Sequence, residues 1–228
     1  MYTTRIFLTL TALLGPLNLW GEAGKIFFMI PLTTISEKQV YIPLIDALAQ
    51  RGHEIVVASI TKSKYTAKNN IREFVPLSYK EFVGDIFSDP FEARRSMGRY
   101  TSLAFTDYDF IIKGCERVYE NPEFQKVLTE KFDLVFRNFW AGPCFNGPLF
   151  KFQAPFIILN TLIPVTEPFE LTGARLPASV VPFAFGPARS FRMSFLERLE
   201  NVLLDIHWTL FCTKSPRRKF HRILETSQ

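Results

Sequence analysis

Apolar residues in this chain gather into short continuous runs, each closed by a turn residue and followed by a stretch of helical period. "KIFFMIPL" (25–32) and "EIVVASI" (54–60) are nearly unbroken apolar runs. Such runs predict strands buried on both faces, as in a parallel sheet. Between them, 36–51 predicts a helix, with Gly52 placed as its C′ residue. Strand, helix and strand within one short stretch make a βαβ unit. Further strands are expected at "IREFVPL" (71–77), "FDLVFRNF" (132–139) and "PFIILN" (155–160). Residues 79–130 read as helical and amphipathic, with turn signals at "SDP" (88–90) and "ENPEF" (120–124). Pro122 suits a first helical turn, and "GPLFKFQ" (147–153) belongs to the helix after the fourth strand. The rhythm predicts an α/β fold, a doubly wound Rossmann-like parallel sheet.

Beyond residue 160 the pattern changes. Residues 161–190 are rich in Pro and Gly without helical period, which predicts a long loop. Residues 191–214 predict one long helix, with Phe195, Leu199, Val202, Leu203, Ile206 and Leu210 on one stripe. That stripe is expected to contact the core; a membrane-surface face is the second reading. Residues 1–23 read as a signal peptide, with Arg5, the apolar segment 6–20 and small residues before a cut after Ala23. The expected organisation is therefore a signal peptide at 1–23, a Rossmann-like domain at 24–190, and an amphipathic helix with basic tail at 191–228.

Composition refines this picture. With 228 residues, 47% hydrophobic, there is enough material for one large domain with a sizeable core. Phe occurs 24 times, so much of that core should be aromatic. The net charge of +5 comes partly from "KSPRRKFHR" (214–222), but no recognition motif points to nucleic acid. Cys115, Cys144 and Cys212 are the three cysteines; buried unpaired thiols are expected rather than a disulfide framework. Their spacing offers no metal site.

In a doubly wound sheet the chemistry lies beyond the carboxyl ends of the strands. The first such corner, "PLTTISEK", has no glycine, so a GxGxxG pyrophosphate cradle is excluded there. None of the three histidines, His53, His207 and His221, falls at a strand end. The polar residues that do are Glu37 and Asn138. Glu37 could act as a general base. It also fits a capping box with Thr34, as Gln39 does with Ser36, and the cap is the favoured reading from the residues alone.

The chain resembles the N-terminal half of the UDP-glycosyltransferases of the animal UDP-glucuronosyltransferase family. The resemblance rests on the leader followed by "KIFFMIP", on "QVYIPLIDALAQRGHEIVVAS", on "NPEFQKVLTEKFDLVFRNFWAGPC", on "KFQAPFIIL" and on "LPASVVPFAFGPARSFRMSFLERLENVLL". It implies the N-terminal domain of a GT-B glycosyltransferase, in which this half holds a small lipophilic acceptor. A second domain would hold the UDP-sugar co-substrate. The family transfers the sugar to an acceptor hydroxyl, using a His base and an acidic residue that orients it. Counted from Pro43-Leu44, the base position falls on Glu37 and the acidic position on Asn138, so both members of the dyad are substituted. The resemblance also implies acceptor contacts at Ser36, Trp140, Cys144 and Asn160. It places the protein in the lumen of the endoplasmic reticulum, with full-length relatives as possible partners. The nucleotide-sugar domain and the membrane anchor of the family are not in this sequence, so a truncated product with no bound cofactor or metal is the expectation. An inactive pseudoenzyme that binds lipophiles or regulates relatives is the alternative.

Overall fold

The computed structural model describes residues 22–84, 109–139, 142–161, 169, 173–174, 176–183, 186 and 190–213. The leader through residue 21, the turn at 88–90, Trp140, most of the 161–190 loop and the basic tail lie outside the described residues.

Five parallel strands form one sheet in the order β3-β2-β1-β4-β5: β1 (Lys25–Ile30), β2 (Glu54–Ser59), β3 (Ile71–Phe74), β4 (Leu134–Asn138) and β5 (Phe156–Leu159). Strand order reverses between β1 and β4, as in a doubly wound Rossmann-like sheet. The helices are α1 (Ile35–Gln50), α2 (Tyr79–Gly84), α3 (Asp109–Glu120), α4 (Pro122–Val127), α5 (Gly142–Phe152) and α6 (Phe195–His207).

The uninterrupted apolar runs become strands because both sheet faces are covered. On one face Ile26, Phe28, Ile30, Ile55, Val57 and Phe136 pack against Tyr41, Ile45 and Ala49 of α1. On the other, Phe27, Met29, Val56, Ala58 and Val135 meet Cys115 and Val118 of α3, Phe124 of α4 and Phe145 of α5. The abundant Phe is used as expected: Phe28 stacks on Phe136 at 4.4 Å and Phe27 on Phe132 at 5.0 Å.

Local signals set the helix ends. Gly52 has φ +92° just past α1, where its N–H bonds Ala49 O and the His53 N–H bonds Leu48 O. These two bonds close a Schellman motif, and the left-handed φ is what requires Gly. Pro122 opens α4 behind Asn121, whose Oδ1 accepts the N–H groups of Glu123 and Phe124.

Two expectations are corrected. Cys115 and Cys144 are not unpaired thiols; they form a disulfide that ties α3 to α5 within the core. Burial was read correctly, but two helices on one sheet face bring the sulfurs together, which spacing along the chain does not reveal. The apolar stripe of the last helix faces away from the core except at Val202, which is half-buried. Phe195, Leu199, Leu203, Ile206 and Leu210 are exposed, and Asn201, Leu204 and Trp208 face inward. The regular helix ends at His207, and a π-helical turn runs over Trp208–Thr213.

Candidate functional site

The site is built at the carboxyl ends of β1, β4 and β5, where α1 begins. Thr34 is the N-cap, in extended backbone, and its Oγ1 accepts the Glu37 N–H at 3.1 Å. That is half of the expected capping box. The other half is missing because the Glu37 carboxylate turns inward, 6% exposed, away from the cap. Its Oε2 accepts Thr33 Oγ1 at 2.7 Å, and its Oε1 accepts Tyr41 OH at 2.8 Å and Thr161 Oγ1 at 3.2 Å. Three donors occupy most of the lone-pair positions of the carboxylate, and all three are neutral hydroxyls. Burial, reinforced by the adjacent Glu37 carboxylate, raises the Tyr41 phenol far above its ordinary range, so it remains a proton donor to Glu37.

Asn138, the last residue of β4, is fully buried, and its Nδ2 donates to Leu32 O at 2.9 Å. Its Oδ1 has no hydrogen-bond partner among the described residues. Glu37 and Asn138 thus rest on consecutive residues, Thr33 and Leu32, at the end of β1. No hydrogen bond joins the two side chains, and an amide cannot ionise.

Lys38, the next residue of α1, points to the other half of the sheet. Its ammonium is fully buried and bonds Glu73 Oε1 at 2.6 Å as well as Thr61 O. Glu73 also accepts Ser59 Oγ, Ser63 N–H and Tyr65 OH, at 2.9, 2.7 and 3.0 Å. Burial pulls Lys38 below its ordinary range, and the paired Glu73 opposes that pull. A buried ion pair so fully hydrogen-bonded holds the ends of β2 and β3 against α1.

The other predicted contacts are distributed unevenly. Ser36 is exposed in the first turn, with its Oγ 3.1 Å from Thr34 Oγ1. Asn160 is exposed directly after β5, next to Thr161. Cys144 is 2% exposed and disulfide-bonded, in the core on the sheet face opposite α1. Trp140 lies outside the described residues. Thr33, Tyr41, Thr161 and the Lys38–Glu73 pair were not picked out from the sequence. A usable signal existed: the buried period Ala49, Ile45, Tyr41, continued one step of four toward the N-terminus, lands on Glu37. Among the described residues no group of His, Cys, Asp and Glu is arranged to hold a metal ion.

Human (Homo sapiens) UDP-glucuronosyltransferase 1A1 is 27% identical over 220 residues, covering 89% of this chain and 39% of that protein. The chain is similar to the UDP-glucuronosyltransferases. UDP-glucuronosyltransferase 2B7 of Rattus norvegicus is 28% identical over 193 residues, 77% of this chain and 36% of its own length. A UDP-glucosyltransferase 2 from Dactylopius coccus is 27% identical over 155 residues, 67% of this chain and 30% of its own length. The chain therefore spans less than two fifths of each of these glycosyltransferases. No protein-family model matches the sequence. No solved structure matches it.

Proposed function

We propose that this chain is the acceptor-binding part of a UDP-glycosyltransferase-type protein of GT-B architecture, with both positions of the catalytic dyad altered. The observation that carries the reading is the pair at the strand-order reversal: a buried carboxylate, Glu37, held by three hydroxyls, and a buried amide, Asn138, bonded to Leu32 O. Sugar transfer joins the acceptor oxygen to the sugar carbon, releases UDP, and needs a base for the hydroxyl proton. A base that works through an orienting partner needs a hydrogen bond between the two. Glu37 and Asn138 do not share one. The acceptor is a small lipophile, and the sugar is carried by a UDP-sugar held outside this part.

The second reading is an inactive relative that binds lipophiles or pairs with full-length family members, and the coincidence of two substitutions at one dyad favours it. For location we propose the lumen of the endoplasmic reticulum. The Cys115–Cys144 disulfide supports an oxidising compartment, as do the leader-like first residues. Among the described residues no helix is long and apolar enough to cross a membrane.

The test pairs two measurements on the full chain. Titration with apolar phenols and steroids, followed by tryptophan fluorescence, should show saturable binding. Incubation with UDP-glucose or UDP-glucuronate and the same phenols should give no glycoside. Absence of saturable binding removes the acceptor site from the proposal. Turnover abolished by Glu37→Gln would instead make Glu37 a working base.

A further inference from the structure

We propose that the mature chain begins at Gly24 and that its terminal ammonium is bound in a seat formed by His53 and Asp133, at the amino-terminal end of the sheet. The seat rests on the leader reading of residues 1–23, and it lies at the end of the strands opposite Glu37 and Asn138. The expected cut falls between Ala23, which is exposed, and Gly24, which is half-buried one residue before β1. Hydrolysis there adds a water across the peptide bond. The Ala23 carbonyl leaves with the leader as a carboxylate, and the Gly24 nitrogen is protonated to an ammonium.

That nitrogen is already in place. As an amide it donates its single hydrogen to His53 Nδ1 at 3.0 Å; as an ammonium it gains further donors. The second acceptor is Asp133, just before β4. Its Oδ2 accepts the Lys25 N–H at 2.7 Å, and its own N–H donates to Lys25 O at 2.8 Å. A Cβ on residue 24 would stand 3.1 Å from Asp133 Oδ2 and 3.4 Å from Asp133 Cβ, so glycine there is what lets the carboxylate come this close. Gly24 O accepts the Glu54 N–H at 3.0 Å, which fixes the residue from the β2 side.

Charge completes the seat. The side chain of Lys25 is engaged elsewhere, with Glu54 at 2.8 Å and Glu130 at 2.9 Å. Among the described residues no cationic side chain pairs with Asp133. An α-ammonium at Gly24 supplies the missing countercharge, and His53, which accepts at Nδ1, adds no competing charge. Asp133 is exposed, so the pair is worth a modest increment rather than a large one. Its effect is specific in place: the start of the central strand is tied to the α1–β2 connection through His53 and to the entry of β4 through Asp133. Leader removal thereby adds to the fold an ion pair that the uncut amide does not make.

The test expresses the full sequence in cells with a secretory route. Intact mass and N-terminal sequencing should show a chain beginning at Gly24, which checks the leader reading. The seat is checked with cyanate, which carbamylates only the unprotonated amine, under conditions where peptide mapping shows lysines spared. At neutral pH the Gly24 amine should react about threefold more slowly in the wild type than in Asp133→Asn, whose amide keeps the Lys25 bond but not the charge. Carbamylation removes the ammonium, so it should lower the melting temperature of the wild type by about 2 °C and leave that of Asp133→Asn unchanged. If the variant does not fold, the wild type is compared with itself in guanidinium, where the rate should rise about threefold. A chain that keeps its leader overturns the leader reading and the seat together. A cut at another bond, or a chain from Gly24 that reacts and melts as Asp133→Asn does, overturns the seat alone. Acceptor binding is independent of these results.

Discussion

Glu37 carries two readings that differ in what its removal does. As a cap it would support the first turn of α1; as a buried hub it satisfies the hydroxyls of Thr33 and Tyr41, which are themselves buried, and that of Thr161. The hub reading predicts that Glu37→Ala costs about 3 kcal/mol, because it strands buried donors. Thr34→Ala, which removes the cap oxygen, should cost only about 1 kcal/mol. Urea unfolding of the two variants measures the difference, and equal losses would return Glu37 to the cap. The sequence made the corner legible as a helix start and as a place of chemistry. It did not reveal which way the carboxylate points. The cap requires only Thr34, and the partners that draw Glu37 inward are contributed partly by Thr161, far along the chain.

At the scale of elements, β1 and β2 were readable because a run buried on both faces has no polar alternation to confuse it. The observed β3 is shorter than the run that predicted it, since only Ile71–Phe74 pair with β2. The α3–α5 disulfide was unreadable for a different reason. Its cysteines sit on helices from two separate crossovers, and only the packing of both on one sheet face makes them neighbours. The bond closes a separation of 29 residues. Replacing both cysteines with Ser should lower stability by about 3 kcal/mol, measured by thermal denaturation without reductant. A change below the error of the measurement would mean that the helices hold their places without it. The last helix misled for a third reason. Helical periodicity identifies an apolar stripe but not the side on which the rest of the molecule lies, and here Asn201, Leu204 and Trp208 mark that side.

Across the whole molecule, charged pairs close the amino-terminal edge of the sheet as polar clusters close the carboxyl edge. Glu130, after α4, bonds Arg72 of β3 at 2.6 Å and Lys25 of β1 at 2.9 Å. Burial works against its charged form, but the hydrogen bonds from Arg72 and Lys25 outweigh it and hold the carboxyl below its ordinary range. A depressed carboxyl contributes stability above the unfolded-state value near 4.5. That contribution disappears as pH falls through the lower folded-state value. Glu130→Gln should therefore melt below the wild type at neutral pH, and the two melting curves should converge in acid. A constant gap across that range would assign the effect to packing alone.

Glu37 and Lys38, adjacent in one helical turn, are tied to different parts of the sheet, one to the segments after β1 and β5, the other to β3 and the segment after β2. Rolling α1 about its axis in either direction would break one tie or the other. The pair works as a two-sided key: it fixes the rotational setting of the helix, so that its apolar residues meet the sheet in a single register. A substitution on one side leaves the other still holding that register. Two ionisable residues at the head of a core-facing stripe, costly as burial goes, give the fold an alignment mark that leucines in the same places would not supply.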